Sequence, residues 1–228
     1  METHFQQELE ELKKELLKMS TIVNDTILKS INALKNLSRE EAEQIINQDK
    51  LIDELELKIE EKCLELLALH QPVAFDLRFI CMAIKITNEL ERIADLAVDI
   101  AQNVLELANK PLLKELIDIP KLTTVAQNII RDVIDAFINK NINLATKVIL
   151  MDSEADNLRN LIQKELIDDY MTKNPTTVKQ AIPLLLIARH LERICDHATN
   201  IAENIVYMYS AKIVKHHPER LKEKTNFQ

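Results

Sequence analysis

One stretch of the sequence occurs twice, with an offset of 101 residues. The first copy covers residues 89–104 and the second covers residues 190–205, and nine of the sixteen positions are identical. Both copies contain Leu-Glu-Arg-Ile, which begins at Leu90 and again at Leu191. Two unrelated amphipathic helices would not share this many residues by chance. The sequence therefore indicates a tandem duplication, and it points to the repeated stretch as the place to look for function.

The composition predicts an all-α fold. The chain has 228 residues, of which 46% are hydrophobic and none is glycine. Sheet hairpins usually need residues that tolerate a positive φ, whereas long helices do not. Abundant Leu, Ile, Ala, Glu and Lys strengthen the preference for helix. We therefore expect a few long helices around a substantial core.

Charge and cysteine usage narrow the class of protein. A net charge of −8 argues against a nucleic-acid partner, which would require a basic face. Cys63, Cys81 and Cys195 are scattered, as in a reducing compartment. The N-terminus does not look like a signal peptide, and no apolar run approaches the roughly 20 residues of a membrane span. We expect a cytoplasmic protein without membrane insertion.

An enzyme is not indicated. A glycine-rich phosphate loop requires glycine, which this chain lacks. The spacing suggests no Ser, His and Asp constellation, and the Glu-x-x-His motif of ferritin-like bundles does not occur. We therefore expect a binding or regulatory protein.

Apolar residues at steps of three and four predict six long helices. The first spans about residues 4–36, and a capping-box signature at Ser38 and Glu41 opens the second, which runs to about 69. The third spans about 73–108 and the fourth about 121–139. The fifth follows a turn at 139–141 and runs to about 171, and the sixth runs from about 176 to beyond 209. Pro183 is an expected kink in the sixth helix, and the tail after Pro218 is expected to fray. Short connections place neighbouring helices antiparallel. We predict two tandem three-helix bundles, residues 1–110 and 111–228, with a linker bracketed by Pro111 and Pro120.

Acidic residues recur at matching positions in both halves. Carboxylates four residues apart stack on one helix face and repel each other. Four of them would converge if the second and third helices are neighbours, and such an oxygen-rich site suits Mg, Ca, Mn or Fe. The alternative is a solvated acidic face with salt bridges to Arg92 and Arg193. The positions are Asp49 and Asp53, Glu91, Asp95 and Asp99, then Asp152 and Asp156, Glu192, Asp196 and Asn200.

These residues resemble the PhoU family of bacterial phosphate-transport regulators. The resemblance is carried by the duplicated plan, residues 71–78, the stretch from Glu91 to Asp99, and the stretch from Glu192 to Glu203. It implies a cytoplasmic, non-catalytic adaptor, commonly dimeric. Such an adaptor acts with the ATP-driven phosphate transporter and a sensor histidine kinase, and it holds the phosphate-starvation response off when phosphate is plentiful.

The resemblance also implies multinuclear metal clusters on the Glu/Asp-x-x-x-Asp motifs, with iron or another divalent metal. By motif position that role falls on the acidic residues named above. Asn200 departs from the pattern, because the first half has Asp99 there, and an amide ligates more weakly than a carboxylate. A metal-storage or redox protein and a purely structural bundle are the alternatives to the adaptor.

Overall fold

The computed structural model describes residues 4–108 and 110–215, and for Asp152 it describes the backbone alone. The predicted tail after Pro218 lies outside the described residues. Among the described helices, none combines the length and the apolar character that a membrane span requires. The α-helices are α1 (His4–Asn36), α2 (Arg39–Gln48), α3 (Lys50–His70), α4 (Ala74–Leu107), α5 (Asp118–Ile138), α6 (Ile142–Leu150), α7 (Asp152–Glu165) and α8 (Val178–Ser210).

The predicted all-α fold of two tandem three-helix bundles is confirmed. In the first half, α1 and the α2–α3 pair pack against α4. In the second half, α5 and the α6–α7 pair pack against α8. The two halves meet mainly where α4 packs along α8, which is the most extensive helix pair among the described elements. The boundary at residue 110 stays a prediction.

The repeated Leu-Glu-Arg-Ile stretch supplies the centre of the core, because α4 and α8 are the helices that all others surround. Leu90, Ile93, Leu191 and Ile194 are each no more than 2% exposed. They belong to one continuous apolar cluster that runs through both halves. Burying side chains of this size stabilises the fold by roughly 1.5–3 kcal/mol each. The glutamate and the arginine of the same stretch stay at the surface of their helices.

The prediction of one uninterrupted second helix in each half was wrong. The structure breaks the first of these helices at Asp49 and the other at Met151. The carbonyl of Asp49 accepts from Ile52 N–H at 2.8 Å as well as from Asp53 N–H at 3.3 Å. The carbonyl of Met151 likewise accepts from a residue three positions on, Glu154, at 3.1 Å. Each break is thus a local tightening to i+3 hydrogen bonding, which apolar periodicity does not reveal.

The ends of the fifth and sixth helices also differ from the prediction. A π-helical turn (Leu166–Met171) follows α7, and a 3₁₀ turn (Pro175–Thr177) precedes α8. Helix α5 begins at Asp118, so that Pro120 lies in its first turn, where its missing N–H costs no hydrogen bond. Pro120 therefore belongs to α5 and does not bracket the linker as predicted.

Pro183 lies inside α8 as predicted, and neighbouring segments compensate for it. Proline lacks the N–H that would bond to the carbonyl four residues earlier, which is that of Lys179. That carbonyl instead lies 3.5 Å from the ammonium group of Lys110, just after the first half ends. At the next residue, the side-chain amide of Gln180 donates to the Pro111 carbonyl at 2.7 Å. These contacts tie the segment between the halves to the start of α8.

Candidate functional site

Four of the first-half acidic residues lie close enough for their charges to affect one another, and the cation site on them stays a prediction. Asp49 lies at the α2–α3 junction, Asp53 lies in the first turn of α3, and Glu91 and Asp95 lie on α4. Burial raises the pKa of Asp49, and the nearby carboxylates of Asp53 and Asp95 raise it further. Because charges raise a pKa only at short range, the four side chains form one electrostatic group, called here the first acidic cluster.

Glu91 is the most strongly perturbed member of this cluster. Burial, followed by the charge of Asp95, raises the pKa of Glu91 from 4.5 to about 7. Arg92 opposes the shift, since its guanidinium lies 3.5 Å from Glu91 and 3.6 Å from Asp95. Arg92 is itself 55% exposed, so its contacts are weakened by water. The cluster therefore holds more negative charge than its single arginine neutralises.

Sequence reasoning missed Glu56, which joins the same cluster from α3. Burial raises the pKa of Glu56, and the carboxylates of Glu60 and Asp53 add to the shift. The Asn88 amide donates to Glu56 at 3.5 Å from α4. The signal was available, because Glu56 follows Asp53 by three residues and so lies on the same helix face.

Asp99 does not join the first acidic cluster, although it continues the ladder of Glu91 and Asp95. Its carboxylate lies 3.7 Å from Nδ1 of His190, on α8 of the other half. Burial lowers the pKa of His190, and Arg193 and Arg189 lower it further. Asp99 therefore belongs to the contact between the halves.

A second missed residue, Glu89, completes that contact. Its carboxylate lies 2.6 Å from Nδ1 of His197 and accepts from the Asn200 amide at 3.2 Å. The pair of Glu89 with Asn200 corresponds, at the offset of 101, to the pair of His190 with Asp99. The α4–α8 packing thus has approximate two-fold symmetry, as in a homodimer joined into one chain. The Asn200 amide therefore lies in the contact between the halves.

The second half arranges its motif differently. Arg159 on α7 lies 3.1 Å from Glu192 and 3.6 Å from Asp156, so an arginine joins the two predicted acidic residues. Arg159 stands at the position that Glu56 holds in the first half, at an offset of 103. Asp196 is exposed on α8, and the side chain of Asp152 lies outside the described part of the structure.

The two halves therefore differ in their fit to a metal ion. Within the described residues, no three His, Cys, Asp or Glu side chains stand in an arrangement that would hold a metal ion. The first acidic cluster nevertheless offers the oxygen ligands that a hard cation prefers. Several of its carboxylates have raised pKa values, and little positive charge lies beside them. In the second half, Arg159 supplies a positive charge between Asp156 and Glu192, and the cation site on the second-half motif stays a prediction.

Comparison with known proteins identifies relatives along nearly the whole chain. A sequence model of the PhoU domain matches residues 16–104 and again residues 119–205. A "Phosphate-specific transport system accessory protein PhoU homolog" of Aquifex aeolicus is 39% identical over 217 residues, which cover 95% of this chain and 97% of the relative. A second relative of the same description, homolog 2 of Thermotoga maritima, is 35% identical, with 94% and 92% coverage.

Solved structures agree with the sequence relatives. The crystal structure of PhoU from Pseudomonas aeruginosa superposes with a TM-score of 0.88 at 30% identity, covering 92% of this chain and all of that one. The crystal structure of the phosphate transport system regulatory protein PhoU from Streptococcus pneumoniae gives a TM-score of 0.87, also at 30% identity, with coverage of 92% and 99%. The similarity thus includes both bundles and the way they pack.

Proposed function

The chain belongs to the PhoU family, and on that premise we propose that it is a regulator of phosphate uptake and phosphate homeostasis. In this role it is a non-catalytic cytoplasmic adaptor that acts with the phosphate ABC transporter ATPase and a sensor histidine kinase, and it holds the phosphate-starvation response off when phosphate is plentiful. The proposal rests mainly on how completely the two sequences align. A relative named as an accessory protein of phosphate transport aligns with this chain over 97% of the relative's length.

Two exposed leucines on α3 support the dimeric state that accompanies the proposed adaptor role. Leu57 and Leu64 are 65% and 61% exposed, and their spacing of seven places them on one side of the helix. Exposed large aliphatic side chains in a row mark surfaces that another protein covers. For this surface we propose a second copy of the chain, which makes the protein a homodimer.

The oligomeric state tests the dimer directly. We expect the double variant Leu57→Glu/Leu64→Glu to elute as a monomer in size-exclusion chromatography with light scattering. Leu150→Glu is the matched control, because Leu150 is 63% exposed but lies on α6. A double variant with the same mass distribution as the unmodified chain would contradict the proposed dimer surface.

The first acidic cluster supports a cation-dependent function. Asp49, Asp53, Glu91 and Asp95, with Glu56 beside them, are the residues that would hold iron, Mg, Mn or Ca. A bound cation would neutralise the repulsion among these carboxylates and connect α3 to α4 across the first bundle. The alternative function, metal storage, has weaker support, because Arg159 takes the place of a donor in the second half.

Genetic complementation tests the regulatory role. We expect deletion of the gene in its host to derepress phosphate-responsive promoters under phosphate-replete conditions and to disturb the uptake of radiolabelled phosphate. The unmodified chain should restore both readouts, and it should co-purify with the transporter ATPase or the histidine kinase. Unchanged promoter activity and uptake in the deletion strain would refute the regulatory proposal.

A further inference from the structure

A cleft on the second bundle differs in charge from the rest of this acidic protein. It lies between α7 and α8 and encloses a cavity of about 460 Å³. We call it the arginine cleft. Its lining residues are Arg159, Gln163, Leu185, Arg189, Glu192 and Arg193.

Among the lining residues that the structure describes, three guanidinium groups stand against the carboxylate of Glu192, and the Asp156 carboxylate lies 3.6 Å from one of the three, that of Arg159. Arg189 and Arg193 are exposed and four residues apart, so they lie on the same face of α8. Neither forms an ion pair with any residue that the structure describes. Like charges at this spacing repel each other, so the arrangement is unfavourable until an anion neutralises it. Such a concentration of positive charge is unexpected in a chain whose net charge is −8.

The duplication shows that the positive charge is particular to the second half. The five polar lining residues can be compared with their counterparts in the first half, at offsets of 103 on α7 and 101 on α8. The first half has three glutamates and one arginine there, a formal charge of −2, whereas the second has three arginines and one glutamate, a formal charge of +2. The pairs are Glu56 and Arg159, Glu60 and Gln163, Asn88 and Arg189, Glu91 and Glu192, and Arg92 and Arg193.

Arg159 is held in place by its neighbours, but one of its N–H donors has no partner among the described residues. Its Nη2 lies 3.1 Å from the Glu192 carboxylate, which is only 13% exposed, and 3.6 Å from the Asp156 carboxylate. Its Nη1 donates to the Asn160 side chain at 2.7 Å. Its Nε is shielded from solvent and donates to no acceptor among the described residues. Since buried donors in proteins nearly always have a partner, Nε of Arg159 can donate to a further oxygen after a small reorientation of the side chain. Glu192 thus orients the Arg159 side chain and leaves Nε available to a ligand.

We propose that the arginine cleft binds a tetrahedral, doubly charged oxyanion, namely a phosphate group. Guanidinium groups present paired N–H donors that match two oxygens of such a group at once. The side-chain amide of Gln163 adds a neutral donor on the α7 side of the cleft. The three arginines come from two helices, so one anion in the cleft would contact both α7 and α8.

The size and lining of the cleft favour inorganic phosphate over a nucleotide. The cavity is large enough for either ligand. Among the described residues that line it, however, Leu185 is the only apolar one, and none has an aromatic ring on which a base would stack. The choice of phosphate over other oxyanions rests on the proposed role in phosphate transport. The location of the site rests on the residues of the cleft alone.

Calorimetric titration of the full chain with inorganic phosphate tests the proposal. We expect one phosphate per chain at constant ionic strength, and a decrease in affinity of at least about tenfold in Arg189→Asn, since one charged donor is lost. This variant places on α8 the residue that the first half has at the same position. Arg131→Asn is the matched control, because Arg131 is 66% exposed on α5 and outside the cleft, and it should bind as the unmodified chain does.

Competing ligands identify the source of the phosphate group. Sulfate should displace phosphate, and chloride at equal ionic strength should not. AMP should bind more weakly than free phosphate if the ligand is the free ion; tighter binding of AMP would support the same site with a phosphate ester as its ligand. Lack of binding up to the millimolar range would overturn the proposal, as would an equal loss in Arg189→Asn and Arg131→Asn. Neither result would change the outcome of the gene deletion, so the two proposals fail independently.

Discussion

Nδ1 of His197 on α8 lies 2.6 Å from a carboxylate oxygen of Glu89 on α4, although 108 residues separate them along the chain. The Asn200 amide donates to the same carboxylate at 3.2 Å. The contact therefore joins the two bundles through one half-buried side chain. It replaces, within a single chain, the kind of polar contact that usually holds two subunits together.

Replacing Glu89 should weaken the packing of the halves. Glu89→Ala leaves two partly buried partners without an acceptor, and we expect the free energy of unfolding to fall by about 1–3 kcal/mol. Glu106→Ala is the control, since Glu106 is an exposed glutamate on the same helix and should change stability little. Urea titration at neutral pH measures both. Equal stability of the two variants would show that the seam does not depend on Glu89.

Neutralising Glu91 and neutralising its duplicate Glu192 should change the free energy of unfolding in opposite directions. Glu91 has a pKa raised to about 7, so its ionised form is disfavoured in the folded chain. Glu91→Gln should therefore stabilise the protein at pH 8, by on the order of 1 kcal/mol once solvent screening is allowed for. Glu192→Gln removes the carboxylate that orients Arg159, and it should destabilise the protein by about 1–2 kcal/mol.

The pH dependence follows from the same raised pKa. Between the ordinary value of 4.5 and about 7, the folded state keeps a proton on Glu91 that the unfolded state has lost. Stability relative to Glu91→Gln should therefore decrease as the pH rises through this window, and the two proteins should converge below it. Thermal melts from pH 4 to pH 8 provide the measurement. A parallel pair of stability curves would show that Glu91 titrates normally.

The helices and the core were predictable because they depend on local periodicity. Leu90 and Ile93 recur as Leu191 and Ile194 at helical spacing, and burial of these residues follows from the pattern alone. The break at Asp49 was not predictable, since its backbone keeps helical angles (φ −54°, ψ −43°) and only the hydrogen-bond register tightens.

The candidate site was only partly predictable, for a different reason. Convergence of Asp49, Asp53, Glu91 and Asp95 followed from helix spacing and from a short connection between neighbouring helices. The partners of Asp99 and Asn200 depend on how two bundles dock, which no local pattern reveals. The sequence shows an arginine at position 159, but only the structure reveals that it forms an ion pair with Glu192.

Cation binding should belong to the first half. Titration of chelator-treated protein with Mn²⁺ should show binding that is lost in Asp95→Ala and kept in Asp196→Ala, which has the same charge change on α8. Binding should also release protons, because Glu91 is partly protonated at neutral pH and a ligating carboxylate is ionised. Equal binding by the two variants would place the cation elsewhere.

The chain ends several helices with non-glycine residues at positive φ, and this offers a test of backbone strain. Ala211, which ends α8, has φ 57° and ψ 17°, a conformation that costs an L-residue roughly 1–2 kcal/mol and costs glycine little. We expect Ala211→Gly to raise the free energy of unfolding by up to about 1 kcal/mol. Ala108, which ends α4, has φ −56° and ψ −23°, so Ala108→Gly should lower it by about 0.5–1 kcal/mol. Chemical denaturation of both variants and of the unmodified chain measures the two changes in the free energy of unfolding. A loss of stability in Ala211→Gly would mean that the end of α8 is not strained.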